Sequence, residues 1–287
     1  MIICIVGPTC SGKSQLAENV SQYFSAPIVN FDAFQVYKEM NIGTAKPTQE
    51  ELASGKYFLY DFREINQPYD VAQYQKDARV LIDRFINQDL IFVGGTGLYL
   101  KAALYDYKFM KENPMPKDYL CDKSNEELFD ELLKIDSVDA EKIGKNNRKR
   151  LIRAIFVYDT QKESKSEINQ NGKDKLLYKD VHFIGLDIAR ETLYQNIDSR
   201  VDCMINNGLK NEVVNLFAKY GKDERALQAI GYKEFNNDLS DFKRIDLIKQ
   251  NTRNYAKRQM TFFRHQFNEV HWFNSLAEAI EYAKSLK

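Results

Sequence analysis

Residues Gly7-Pro8-Thr9-Cys10-Ser11-Gly12-Lys13-Ser14 follow the pattern G-x-x-x-x-G-K-[ST]. This spacing suits an anion cradle. The glycines let successive backbone N–H groups turn inward, and the following helix adds its positive end. Lys13 supplies a full charge, and the Ser14 hydroxyl suits a magnesium ion. Asp32, after a second apolar run, and Thr96, after a third, would lie at the same carboxyl edge of a parallel sheet. A carboxylate there can accept a proton or a hydrogen bond from a substrate N–H or O–H. A plain turn or helix cap is the other use for such an Asp.

The elements that must position these groups alternate. Ile2–Val6 and Leu90–Val93 are short, wholly apolar runs, the pattern of strands buried on both faces. Ile28–Phe31 is a third strand. Helices are expected at 12–24 and 70–88, the second with Val71, Tyr74, Ala78, Leu81, Ile82 and Phe85 on one face. Gly94-Gly95-Thr96-Gly97 turns into another helix. The rhythm breaks near Tyr105. Residues 106–145 carry Pro114, Pro116 and a Ser124-to-Glu127 capping box, and read as an inserted helical subdomain. A helix is expected over 146–158, then a polar loop over 160–175. Strands resume at 181–188 and 270–273, with helices over 190–220 and 240–268 between them.

Composition narrows the field. Lys plus Arg and Asp plus Glu both number 41, so no global basic excess advertises nucleic acid, although local patches could still bind it. No apolar run is long enough to span a bilayer, and no basic leader precedes the first strand. Four cysteines without C-x-x-C spacing argue against a zinc or disulfide framework and suit a reducing cytoplasm.

Two local segments are basic. Residues 142–153 (KIGKNNRKRLIR) contain six basic residues and no acid. From Leu247 to Asn268 there is again no acid, while Lys249, Arg253, Lys257 and Arg264 recur on one helical face, with Tyr255, Phe262, Phe263 and Phe267 nearby. Such stripes suit an RNA backbone and stacked bases, or simply a solvated helix over a core.

Together these segments resemble the tRNA dimethylallyltransferase family. GPTCSGKS differs from its usual phosphate loop only at Cys10. FDAFQVYKEMNIGTAKPT (31–48), VGGTGLYLKAAL (93–104), NNRKRLIRAIFVYDT (146–160), RVDCMINNGLKNEV (200–213), IGYKEF (230–235) and IKQNTRNYAKRQMTFFR (248–264) are similar to its further blocks, in family order. Several positions depart from the pattern. Ala33 replaces a Ser, and Tyr57-Phe58-Leu59-Tyr60-Asp61 stands where His-His-Leu-Ile-Asp is usual. Lys149 replaces a Gln, Asn196 an Arg, and Gln161–Ser164 a T-G-K-P segment.

The resemblance implies a P-loop NTPase-like α/β core over 1–105 and 146–287, with residues 106–145 inserted to contact a tRNA anticodon arm. It implies transfer of a dimethylallyl group from dimethylallyl diphosphate to N6 of the adenosine beside the anticodon, with Mg2+, in a cytoplasmic monomer. Asp32, Thr96 and Arg200 would be catalytic, and Gly7 to Ser14 would hold the diphosphate. Asp32, Ala33, Phe34, Gln35, Thr96, Lys149, Arg150, Leu151, Ile152, Arg153, Arg253 and Lys257 would meet the tRNA. The phosphate loop and Asp32 alone also fit a small-molecule kinase. A prenyltransferase of free adenine nucleotides, and an RNA-binding protein with an idle loop, are further alternatives.

Overall fold

The computed structural model describes residues 1–107, 109, 115–164 and 175–287. The chain forms two compact units, 1–104 with 178–287, and 105–177. Among the described residues no helix is long and apolar enough to cross a membrane.

The larger unit is built on six parallel strands in the order β3-β2-β4-β1-β5-β6. They are β1 (Ile2–Val6), β2 (Ile28–Asn30), β3 (Tyr57–Phe58), β4 (Leu90–Val93), β5 (Val181–Leu186) and β6 (Val270–Phe273). β1, β2 and β4 are buried at every residue, as continuous apolar runs require in the middle of a parallel sheet. Ile3 and Ile5 of β1, with Ile91, Val93 and Ile184, pack against α1 (Lys13–Phe24) through Leu16, Ala17 and Val20. The C-terminal helix α11 (Leu276–Lys284) adds Ala279 and Ala283 to the same layer. Burying each large aliphatic side chain there stabilises the fold by about 1.5–3 kcal/mol.

Between these lie α2 (Gln49–Ala53), α3 (Val71–Arg84) and α4 (Gly97–Leu104). α3 starts where expected because Asp70 accepts the Ala72 and Gln73 N–H groups, both at 2.9 Å. Its Tyr74 stacks on Tyr99 of α4, ring centroids 4.5 Å apart. After β5 come α8 (Arg190–Asn206), α9 (Leu209–Tyr220) and α10 (Asp241–Gln266). Gly208, at φ +93°, breaks the expected 190–220 helix into α8 and α9. The two-residue β3, the short α2 and α11 were not anticipated from the sequence.

The smaller unit holds α5 (Asn125–Ile135), α6 (Ser137–Ile143) and α7 (Arg148–Gln161). The expected Ser124 capping box is present: Glu127 donates its N–H to Ser124 Oγ at 3.2 Å and accepts the Ser124 N–H at 2.7 Å. The expected return to the core at residue 146 is displaced to 178. α7 belongs to the insertion because its apolar face, Leu151, Ala154 and Ile155, packs on Leu128, Leu132 and Ala140 of α5 and α6. Of the expected 160–175 loop, Thr160 and Gln161 instead finish α7, while residues 165–174 lie outside the described residues, as does Pro114.

Candidate active site

The phosphate loop runs from the end of β1 into the first turn of α1. Gly12 sits at φ +97°, which only glycine adopts freely, and turns the chain so that α1 begins at Lys13. The first-turn amides of any helix lack partners within it, so this end offers N–H groups to an anion. Lys13 bends back to donate to the Pro8 carbonyl at 2.6 Å. Burial pulls its pKa down to about 8, with Arg200 acting in the same direction and Cys10 and Asp32 opposing. An arriving diphosphate would relieve that cost.

Thr9, Cys10, Gly12, Lys13 and Ser14 line a cavity of about 500 Å³, and Asp32, Gln35, Arg200, Tyr255 and Gln259 line the same space. That volume lies within the range of small-molecule sites, about 300–1,000 Å³. Asp32 serves both uses open to it. Its Oδ1 accepts the Phe34 N–H at 2.9 Å, a turn bond, while Oδ2 lies against Gly95, where an added Cβ would come within 2.9 Å of it. The Asp32 N–H donates to Asn30 Oδ1 at 2.7 Å, which fixes the backbone that carries the carboxylate. Arg200 reaches from α8 toward Thr9 Oγ1 and the Thr44 carbonyl, both at 3.4 Å. A further cavity, of about 280 Å³ and lined by Phe34, Met204, Ile230, Ile248 and Arg258, shares Thr9, Asp32, Thr44, Arg200 and Tyr255 with the first. Asp32 therefore stands where an anion cradle meets a space with aromatic and aliphatic walls.

Several expected residues take other places. Thr96 lines neither cavity. Its hydroxyl oxygen accepts the Ala33 N–H at 3.0 Å and so braces the turn that carries Asp32. Ala33 contributes that backbone contact, and Gln35 spends its amide donor on the Thr44 and Ala45 carbonyls, at 3.0 and 3.3 Å.

The basic stripe of α10 is largely a seam rather than an open RNA face. Arg253 donates to both oxygens of Asp198 at 2.7 and 2.9 Å, Lys249 pairs with Asp202 at 2.7 Å, and Arg264 pairs with Asp187. Lys257 is exposed. In α7, Leu151 is wholly buried and cannot offer its side chain to RNA, and Ile152 packs on the same cluster. Arg148 is spent on the Leu120 and Cys121 carbonyls at 2.9 and 3.0 Å. Lys149, Arg150 and Arg153 are exposed.

Tyr255 and Gln259 were missed from the sequence. They lie four apart on α10, one helical turn, and project from it onto the loop after β4. Burial, and then the Asp32 carboxylate, push the Tyr255 phenol above its ordinary pKa, so it stays neutral. Thr44, Tyr60 and Asn196 also line the first cavity. Asn196 donates to the Cys10 carbonyl at 3.2 Å.

A parallel α/β core with an anion loop facing a strand-edge carboxylate defines a group-transfer enzyme of the P-loop type. The IPP transferase family profile matches residues 35–266. The chain is 39% identical to a tRNA dimethylallyltransferase of Anoxybacillus flavithermus, covering 97% of this chain and 92% of that one. Against the Geobacillus thermodenitrificans enzyme of the same name it is again 39% identical, with 95% and 90% covered. A tRNA Δ2-isopentenylpyrophosphate transferase from Staphylococcus epidermidis has a similar solved structure, with TM-score 0.72, 34% identity, and 99% and 97% covered. A eukaryotic dimethylallyltransferase acting on tRNA matches with TM-score 0.81, 27% identity, and 95% and 73% covered. The chain belongs to the IPP transferase family, and the fold expected from its motifs is the fold observed.

Proposed function

We propose that this protein transfers a dimethylallyl group from dimethylallyl diphosphate to N6 of the adenosine 3′-adjacent to the anticodon of tRNA, releasing diphosphate. The observation that carries the reading is that Asp32 and the phosphate loop line one cavity of about 500 Å³. The names of the relatives, all tRNA-modifying transferases, support the same acceptor.

The loop amides, Lys13 and Arg200 hold the diphosphate and take up charge as the allylic C–O bond breaks, its electron pair leaving with the diphosphate. The N6 lone pair of adenine is delocalised into the ring and is a weak nucleophile. Asp32 Oδ2 accepts an N6 hydrogen, localises that pair toward the allylic carbon, and takes the proton as the C–N bond forms. The base reaches Asp32 from the second cavity, after leaving the anticodon-loop stack. Lys149, Arg150 and Arg153 of the insertion supply positive charge for the RNA backbone.

Magnesium fits this site. Ser14 lines the cavity, its hydroxyl has no hydrogen-bond partner among the described residues, and an oxygen donor beside a diphosphate suits a hard cation. Ser14 would help hold the ion, which when bound would neutralise diphosphate charge.

Unmodified tRNA, enzyme and dimethylallyl diphosphate should yield an adenosine heavier by one prenyl group on mass spectrometry. Asp32→Asn should keep tRNA affinity within about twofold while losing 10²–10⁴ in turnover, on the order expected for a general base. Equal loss of binding and rate would argue against the base role. Preference for AMP over tRNA in a competition assay would favour the free-nucleotide alternative. Phosphate transfer from ATP to a metabolite would favour the kinase, which the Gly94-Gly95 end of β4 disfavours because no metal-binding Asp stands there.

A further inference from the structure

We propose that Tyr60 sets the length of the allylic donor, closing the prenyl end of the first cavity so that a ten-carbon diphosphate is excluded. This rests on the prenyl-transfer reading above. Few apolar side chains line the first cavity, and Ala45, Tyr60 and Val93 are three of them. The same three, with Ser14 and Gln35, also line a neighbouring cavity of about 190 Å³ that continues past Ile28, Pro47 and Tyr57 and carries Glu18, Lys46 and Glu51 on its wall. Tyr60 thus stands in the wall common to both spaces. At about 30 Å³ per water-sized group, the smaller cavity has room on the order of six such groups. One more isoprene unit brings five carbons.

The backbone holds this ring with unusual insistence. Leu59 and Asp61, on either side of Tyr60, both adopt left-handed conformations, φ +61° and +53°, which residues with a Cβ avoid. Such pairs persist only where neighbours over-determine them, and they gather at functional sites. Here Asn30 Nδ2 donates to the Leu59 carbonyl at 2.9 Å and the Asp61 N–H donates to the Gln35 carbonyl at 3.0 Å. The Tyr60 ring meets Tyr57 edge-on, centroids 5.6 Å apart, and the Tyr57 hydroxyl is anchored to Glu18. The Tyr60 hydroxyl has no hydrogen-bond partner among the described residues and is not one of the sealed-in orphan oxygens, so it opens onto a cavity. The ring, rather than a hydroxyl bond, does the blocking.

The chemistry is the same for either donor. The C1–O bond breaks with its pair on diphosphate, C1–N6 forms, and the N6 proton passes to Asp32. Only the tail differs, so discrimination is steric.

The test compares dimethylallyl and geranyl diphosphates as donors to unmodified tRNA, using wild-type protein and the Tyr60→Phe, Tyr60→Leu and Tyr60→Ala variants, with melting curves as a check on folding. Wild type and Tyr60→Phe should prefer the five-carbon donor by roughly a hundredfold in kcat/KM, and Tyr60→Leu and Tyr60→Ala should raise the ten-to-five ratio at least about tenfold. Tyr60→Leu keeps more of the buried volume should Tyr60→Ala fail to fold. Comparable use of both donors by wild type overturns the proposal. So does an unchanged ratio in a folded Leu or Ala variant, or a Phe variant that relaxes as far as Ala. If wild type transfers no dimethylallyl group to tRNA at all, it is the site reading that fails instead.

Discussion

Gln259 accepts the backbone N–H of Thr9 at 2.8 Å, a contact that spans 250 residues of chain. Its Nε2 donates to the Gly95 carbonyl at 3.0 Å, so a single amide ties the phosphate loop to the loop after β4. The side chain is buried, and its removal strips the Thr9 N–H of its partner and leaves the Gly95 carbonyl only the longer bond from the Tyr255 hydroxyl, at 3.4 Å. Gln259→Leu should therefore cost about 2 kcal/mol of stability by denaturant melting. It should also raise the KM for dimethylallyl diphosphate more than it weakens tRNA affinity.

Lys13 should make donor binding sensitive to alkali. In the free protein its pKa is lowered to about 8, because burial penalises the charged form. Below pH 8 it is protonated and would attract the diphosphate; as the pH rises through 8 the free enzyme loses that charge, and a bound diphosphate would hold it. Donor affinity should fall above pH 8, approaching about tenfold per pH unit until the pKa of the complex is reached. Titrating diphosphate binding between pH 7 and 10 checks this. Lys13→Met should bind weakly throughout and lose this inflection.

The two basic segments should separate in their response to salt. Arg253 already pairs with Asp198, so Arg253→Gln should change stability by less than about 1 kcal/mol and leave the salt dependence of tRNA binding unaltered. Lys149→Gln with Arg150→Gln should reduce the slope of log affinity against log salt by about 2, provided both meet phosphates. Filter binding between 50 and 300 mM salt, on the order of the usual range, reads both.

Glu212 of α9 accepts the N–H groups of Asn41, Ile42 and Gly43 at 3.0, 2.8 and 3.2 Å, and the Tyr232 hydroxyl at 2.6 Å. The loop so held presents the Thr44 carbonyl to Gln35 and Arg200. Glu212→Ala should cost about 2 kcal/mol and lower kcat/KM for both substrates, since an anion bonded by three amides has no replacement. Glu212→Gln, which keeps one acceptor oxygen, should recover part of the loss.

The phosphate loop could be read from eight consecutive residues because its work is done by local backbone geometry, and Asp32 followed from the end of an apolar strand. Strand-and-helix alternation likewise announced the parallel sheet, and the Ser124 and Glu127 pair announced α5. Other features needed the tertiary structure. The α10 stripe looked open because Asp187, Asp198 and Asp202, which neutralise it, lie 47 to 77 residues away along the chain. Thr96 shared the expected sheet edge, but that its hydroxyl accepts the Ala33 amide and braces the Asp32 turn is visible only in the fold. Leu151 sat within a basic run, and only packing against α5 and α6 turned it inward. A sequence carries the periodicities and turn chemistry that neighbouring residues impose on one another. Which distant group meets a given charge, hydroxyl or ring depends on how the elements pack, and that is decided only when the whole core closes.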